Sequence, residues 1–139
     1  MKQTQRGVTL IELMIVMVVL AIIASIAVPS YRQYLMRTNR TEGTAALLQL
    51  RLAQEKFFLQ NNRYATAAEM SQDLPAGLGL PAVTSHGYYT VLMVRPTPTT
   101  YSATASIAGG QLGDATCPTL TIDESGVRTA GGPVEVCWK

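Results

Sequence analysis

The sequence is poor in the residues that most enzymes use for chemistry. It has one histidine, two cysteines and one tryptophan among 139 residues. These residues do not supply the four ligands of a Cys/His zinc site. A histidine-dependent triad would rest on His86 alone, which no nucleophile or carboxylate motif accompanies. We therefore predict no catalytic residue, no metal site and no cofactor, and an enzyme is disfavoured.

Charge is also scarce. Charged residues make up 14% of the chain, against roughly 25% in an ordinary soluble domain, whereas apolar residues make up 47%. The net charge of +2 comes from 11 basic and 9 acidic residues without a block of one sign. This pattern excludes a charged disordered tail and gives no support for a nucleic-acid-coating protein. The length allows one domain with a modest core.

Most of the apolar residues lie in one N-terminal run. Leu13–Val28 contains no charge, and the run extends back to Val8 with Glu12 as its one interruption. About twenty helical residues approach the thickness of the hydrocarbon core of a bilayer, roughly 30 Å. Pro29 and its neighbours follow instead of a small-x-small cleavage site, so removal of the run is not expected. The sequence predicts a membrane-spanning helix.

Glu12 is unusual because an ionised carboxylate inside hydrocarbon costs about 2.5–3.5 kcal/mol and requires a partner. Cleavage after Gly7 would create an α-amino group on Val8, about one helical turn from Glu12 in the same chain or in a packed neighbour. A plain signal anchor without cleavage is the alternative interpretation.

These features resemble the N-terminal motif of type IV pilins and related pseudopilins. The segment R-G-V-T-L-I-E-L-M at 6–14, with P-S-Y at 29–31, carries the resemblance. It implies the type IV pilin fold, cleavage by prepilin peptidase between Gly7 and Val8, and N-methylation of Val8. It also implies that Glu12 is the assembly charge that guides each subunit into a helical fibre. Val8 departs from the family, in which phenylalanine is usual at this position.

A narrower resemblance is to the PilE-like minor pilins of type IVa pili. The segments that carry it are N-R-T-E-G from Asn39, C-P-T-L-T-I-D-E-S-G-V-R from Cys117, and the C-W-K ending. It implies a structural minor subunit that is incorporated into the fibre or primes it, and that supports pilus biogenesis, twitching motility and adhesion. The implied partners are other pilin subunits, prepilin peptidase, the inner-membrane assembly platform, and membrane lipid before assembly.

Three other functions stay open at this point: a type II secretion pseudopilin, a DNA-uptake minor pilin, and a signal-anchored periplasmic domain. DNA binding would need a basic stripe with aromatic side chains. The candidate residues are few: Arg63, Arg95, Arg128, Lys139, Tyr64, Tyr88 and Tyr89.

The remaining chain predicts an α+β fold in which a long N-terminal helix packs on an antiparallel sheet of about four strands. The helix should continue from Tyr31 to about residue 60, with a kink at Pro29 and a second weak point at Gly43. Its core-facing apolar stripe is predicted at helical spacing: Ala45, Leu48, Leu52 and Leu59.

Segment 61–87 lacks a sustained period and predicts a connecting loop, and the sheet is expected within 88–139. Strand patterns lie at Tyr88–Arg95, Thr100–Ile107, Thr119–Asp123, Val127–Thr129 and, as a last short strand, Val134–Trp138.

Cys117 and Cys137 predict a structural disulfide, because a chain without C-x-x-C that is exported into an oxidising compartment favours a structural bond. Closing a loop of about 20 residues stabilises a small domain by roughly 3 kcal/mol. The expected organisation is a cleaved leader at 1–7, a transmembrane assembly helix at 8–30 and a periplasmic globular domain at 31–139. The precursor is expected in the inner membrane and the mature subunit in a surface pilus.

Overall fold

The computed structural model describes residues 7–139 and divides into two compact units, one ending at Leu35 and one comprising Met36–Lys139. The element order is helix, four strands, helix. The bounds are α1 at Leu10–Asn61, β1 at Tyr89–Thr97, β2 at Thr100–Ile107, β3 at Thr119–Asp123, β4 at Arg128–Ala130 and α2 at Val134–Cys137. The predicted α+β architecture, one long helix with a four-stranded antiparallel sheet, is confirmed.

The strands follow one another in space in the order β1-β2-β3-β4, each antiparallel to the next. Alternation along β2 sends Tyr101, Ala103 and Ala105 into the core. The opposite face carries a row of hydroxyl side chains, because Thr104 pairs with Thr121 and Thr121 with Thr129. Leu92 and Val94 are exposed on the same face at β1. The outer sheet face is thus rich in hydroxyl groups, with an apolar edge.

The second half of α1 covers the inner face of the sheet, but with different residues from those predicted. The predicted stripe, Ala45, Leu48, Leu52 and Leu59, is exposed to solvent, so that prediction was wrong. The buried residues of α1 are Arg40, Gly43, Leu47, Leu50, Gln54 and Phe57. At 100° per residue the two sets lie on opposite sides of the helix. The helix therefore has two partly apolar faces, of which the sheet covers one.

Gly43 lies where α1 approaches the sheet most closely. A Cβ atom at this position would stand 3.1 Å from the ring of Tyr89 and 3.1 Å from Leu120. Glycine therefore allows close packing of helix and sheet, and α1 continues through it without a break.

The last predicted strand, Val134–Trp138, was also wrong: Val134–Cys137 forms the short helix α2. Pro133 precedes it with φ −60°, a value that suits the start of a helix, and it offers no N–H for strand pairing. The disulfide between Cys137 and Cys117 further restricts the path of this segment. The connection between α1 and β1 contains a 3₁₀ turn at Ala67–Glu69 and one bridge between Val83 and Thr90.

Candidate functional site

The first unit is an apolar helix with its side chains exposed. Every residue from Gly7 to Leu35 is exposed, including the large aliphatic side chains of Leu10–Val28. Among the described residues, α1 is the one helix whose length and composition would allow it to cross a membrane. Exposed apolar surface of this extent requires a cover, either lipid or other protein.

Thr9 begins this helix. Its hydroxyl oxygen accepts a hydrogen bond from the backbone N–H of Glu12 at 3.3 Å, and its carbonyl accepts one from Leu13. The sequence T-L-I-E at 9–12 has the spacing of a capping box, a signal that our sequence analysis missed. The carboxylate of Glu12 lies in the first turn, where the helix dipole favours a negative charge.

The predicted cleavage position lies directly before the cap. Gly7 and Val8 are exposed and non-helical, so the scissile bond stands outside α1. Residues 1–6 of the predicted leader lie outside the described residues. Pro29 lies inside α1, which continues through it. Cleavage, methylation, the assembly charge and the kink at Pro29 remain predictions.

In the second unit, the predicted disulfide is present. Cys117 and Cys137 are bonded, with a Cα–Cα distance of 5.7 Å, and both are fully buried. Gly132 lies against this bond, and a Cβ atom there would collide with the carbonyl oxygen of Thr116. A glycine is therefore required where β4 turns towards α2.

A buried ion pair joins α1 to the segment just before Cys117. The guanidinium of Arg40 donates two parallel hydrogen bonds of 2.7 Å to the carboxylate of Asp114, and the two residues are 6% and 2% exposed. Burial alone would raise the pKa of Asp114, but the hydrogen bonds and charge of Arg40, together with the N–H of Cys117, hold it below its ordinary value. The hydrogen bond to Asp114 raises the pKa of Arg40.

Gln111 extends this network. Its buried side chain donates to the carbonyl oxygen of Met36 at 2.9 Å and to Asp114 at 3.0 Å, and it accepts from Asn39 at 3.2 Å. Sequence analysis missed the network because Arg40 and Asp114 are 74 residues apart, and no local pattern connects residues at that separation.

A cavity of about 340 Å³ lies beside this network, within the second unit. Its lining residues are Arg37, Arg40, Val136, Cys137 and Lys139. Arg37 and Lys139 are exposed, and neither forms an ion pair among residues 7–139. The lining of the cavity therefore includes two cationic side chains without an acidic partner among the described residues, and a small anion is the ligand that such side chains favour.

The residues considered for nucleic-acid binding have unequal availability. Tyr64 and Tyr89 are buried in the core and cannot stack on bases, whereas Tyr88 is half-buried. The guanidinium of Arg63 is held by two hydrogen bonds to Glu69.

Two of the other basic candidates differ in their surroundings. The Nη1 of Arg95 donates to the carbonyl of Tyr64. Arg128 is exposed and lies over the ring of Trp138, with its guanidinium carbon 5.2 Å from the ring centroid. This distance is within the range of a cation–π contact. The Arg128–Trp138 pair is thus a basic and aromatic surface feature that the sequence did not single out as a pair.

His86 has a structural role. Its Nδ1 lies 2.8 Å from one oxygen of the Glu42 carboxylate, and its backbone N–H donates to the other oxygen at 3.0 Å. The pKa of Glu42 is lowered, since hydrogen bonds from Thr84 and His86 outweigh the effect of burial. Within the part of the chain that the structure describes, no three His, Cys, Asp or Glu side chains form a group that would hold a metal ion.

Comparisons with known proteins agree with this architecture. The family model described as "Type IV minor pilin ComP, DNA uptake sequence receptor" matches residues 29–121. The model "Prokaryotic N-terminal methylation motif" matches residues 2–28. No curated protein sequence matches the chain.

Two solved structures share the fold. A type IV pilin from Shewanella oneidensis aligns with a TM-score of 0.52 and 20% identity, covering 71% of this chain and 96% of its own. The non-core minor pilin PilV of Neisseria meningitidis aligns with a TM-score of 0.54 and 18% identity, covering 72% and 90%.

The long helix, the four-stranded sheet and the methylation motif define a type IV pilin. More particularly, the chain belongs to the type IV minor pilin ComP family. The family is one of structural pilins.

Proposed function

We propose that this chain is a minor subunit of a type IV pilus, made as a membrane-anchored precursor and packed into the fibre through its N-terminal helix. Prepilin peptidase cuts between Gly7 and Val8 and methylates the new amine of Val8. The globular unit lies in the periplasm before assembly, and the inner-membrane platform then delivers the subunit to the fibre. The observation that carries this proposal is the exposed apolar helix that Thr9 caps and that carries Glu12 in its first turn.

Cleavage at Gly7 would leave the helix intact. Thr9 supplies the cap, and it lies on the mature side of the proposed cut. The new amine of Val8 would stand beside the N-terminal turn that holds Glu12. A carboxylate without a partner is costly in an apolar environment, so this amine, from the same or a neighbouring subunit, is the partner we propose.

The exposed side of α1 in the second unit supports packing between subunits. Leu52 and Leu59 are 71% and 83% exposed, and Ala45 and Leu48 lie on the same side. An apolar helix face of this kind is typical of a surface that another helix covers. In a fibre, a neighbouring subunit would bury it.

The experiment is intact-mass spectrometry of the protein in sheared surface fibres and in the inner membrane. We expect a fibre species that begins at methylated Val8 and lacks two hydrogens because of the disulfide. A chain that still begins at Met1 and stays in the membrane would contradict the proposal and favour a signal-anchored domain. A processed chain that is absent from surface fibres would favour a type II secretion pseudopilin.

Glu12→Ala tests the charge. We expect normal cleavage but at least about a tenfold loss of the subunit from fibres, because about 1.4 kcal/mol of lost pairing free energy corresponds to a factor of ten. Asp73→Ala, which removes an exposed carboxylate of the second unit, is the matched control. Normal incorporation of the Glu12→Ala subunit would contradict the charge-pairing mechanism.

A role in DNA uptake is a second candidate, supported by the family description and by the contact between the exposed Arg128 and the half-buried Trp138. A guanidinium contacts phosphate, and an indole ring stacks on bases. Fluorescence anisotropy of the full-length chain with labelled duplex DNA tests it. We expect Arg128→Gln to weaken binding while Lys56→Gln, an exposed charge on α1, has little effect. Equal effects of the two variants on DNA binding would contradict a specific role of Arg128.

A further inference from the structure

We propose that the cavity beside Arg37 and Lys139 binds the phosphate diester of an anionic phospholipid from the membrane that anchors the precursor. The inference rests on the membrane-anchored precursor in the proposed function. It assigns a ligand to a cavity that assembly through the N-terminal helix does not use.

The charged side chains of the cavity lining favour an anionic ligand. The guanidinium of Arg40 is satisfied by Asp114 and by the carbonyl oxygen of Val136 at 3.4 Å, so its charge is neutralised at the base of the cavity. Arg37 and Lys139 retain their charges, since within residues 7–139 neither forms an ion pair. The lining therefore offers two cationic side chains, those of Arg37 and Lys139, to an anion.

The chemistry of these two side chains suits a phosphate. A guanidinium offers a planar fork of donors that matches two phosphate oxygens, and an ammonium adds a compact point charge. The cavity volume of about 340 Å³ lies at the lower end of small-molecule sites, which is adequate for a headgroup but not for a whole lipid. The acyl chains would stay in the bilayer.

The position of Arg37 along the chain favours a lipid source. Arg37 lies nine residues after Val28, the end of the apolar run. Arginine side chains close to the end of a membrane helix extend towards the lipid headgroups. Tyr31 and Tyr34 are exposed between the two positions, as is typical of a membrane interface.

Nucleic acid fits this cavity less well. A duplex is held by a row of cations that follows its phosphates, and each neutralised phosphate adds to the affinity. The cavity offers two unpaired cations in one concavity, which matches a single phosphate group.

The test is native mass spectrometry of the full-length chain from the inner membrane, in neutral detergent, titrated with phosphatidylglycerol or phosphatidylcholine. We expect preferential retention of phosphatidylglycerol, and at least about a tenfold lower affinity for the double variant Arg37→Gln/Lys139→Gln. Lys56→Gln, a matched loss of one exposed charge on α1, should retain the lipid. The thermal unfolding midpoint of each variant, followed by Trp138 fluorescence, verifies that it is folded.

Competing ligands separate the sources of phosphate. Inorganic phosphate at lipid-equivalent concentration should not displace phosphatidylglycerol; displacement would assign the cavity to free phosphate and overturn the lipid proposal. Equal retention of the two lipids, or retention unchanged in the folded double variant, would also overturn it. The lipid proposal would also be overturned if the double variant Arg37→Gln/Lys139→Gln lost duplex DNA binding but still bound the lipid.

The same spectra keep this proposal separate from the proposed function. The intact mass reports whether the chain begins at Met1 or at Val8. A chain that is uncut but binds phosphatidylglycerol through Arg37 would contradict the pilin processing and support the lipid site. A chain that is cut at Gly7 but shows no lipid preference would support the pilin processing and contradict the lipid site.

Discussion

Replacing Arg40 with methionine should destabilise the second unit strongly, because the change leaves the Asp114 carboxylate buried without its cation. Removing one partner of a buried ion pair costs about 3–5 kcal/mol. Asp114 keeps hydrogen bonds from Gln111 and from the N–H of Cys117, which partly satisfy it. We therefore expect a loss at the lower end, about 3 kcal/mol of the free energy of unfolding.

The assays are urea unfolding, which gives the free energy, and thermal unfolding, which gives the midpoint temperature, both on the full-length chain in detergent and both followed by the fluorescence of Trp138, the single tryptophan. In a domain of about 100 residues, 1 kcal/mol shifts the thermal midpoint by about 4 °C or more, so we expect a fall of more than about 10 °C. Arg63→Met is the control. It removes an ion pair to Glu69 in which the arginine is 36% exposed, so water screens the pair and the loss should be clearly smaller.

The pH dependence of the free energy of unfolding provides a second test of the Arg40–Asp114 pair. The folded-state pKa of Asp114 lies below its ordinary value, so the pair contributes stability above the unfolded-state pKa, about 3.9. That contribution is lost as the pH falls through the folded-state pKa. The difference between wild type and Arg40→Met should therefore narrow below about pH 4. A loss under about 1 kcal/mol at pH 7, or a difference that does not change with acid, would refute the reasoning.

Three further predictions concern the second unit. Replacing Cys117 and Cys137 together with alanine should lower the free energy of unfolding by about 3 kcal/mol, measured by urea unfolding, and an unchanged midpoint would argue against a stabilising bond. Gly43→Leu should cost about 1–3 kcal/mol, because its Cβ would stand 3.1 Å from the neighbouring side chains of the sheet; thermal unfolding measures this, and a stability equal to that of wild type would contradict close packing there. Carboxyl NMR should give Glu69 a pKa of about 2, lowered mainly by hydrogen bonds from Arg63, and Arg63→Met should move it towards 4.5; an unchanged pKa in that variant would assign the shift to other donors.

Hydrophobic periodicity predicted the long helix and the first four strands but not which face of the helix is buried. The sequence predicted burial of the stripe that includes Leu48 and Leu52, whereas the sheet covers the side with Gly43 and Gln54. Gln54 is buried because its side chain exchanges hydrogen bonds with the N–H and C=O of Ala65, at 2.8 and 3.2 Å. A polar residue satisfied by a distant backbone segment gives no apolar signal in the sequence.

The residues of the candidate site were likewise only partly predictable from the sequence. Gly7, Val8 and Glu12 belong to a contiguous motif, so the sequence singles them out. The network around Arg40 and the cavity beside Arg37 depend on residues near the other end of the chain, and only the folded structure brings them together. The helix at Val134–Cys137 was missed because four alternating residues suit a helix or a strand equally, and the proline and the disulfide decide between them.

The two parallel hydrogen bonds between Arg40 and Asp114 also have a mechanical consequence. Both join the same two side chains and run side by side, so a shearing force between the second-unit part of α1 and the segment around Asp114 loads them together instead of one after the other. Three residues further on, the bond between Cys117 and Cys137 closes the following segment covalently, so that segment cannot be pulled out straight. A force on this part of α1 would therefore move Asp114 and the disulfide-closed segment together instead of detaching them bond by bond.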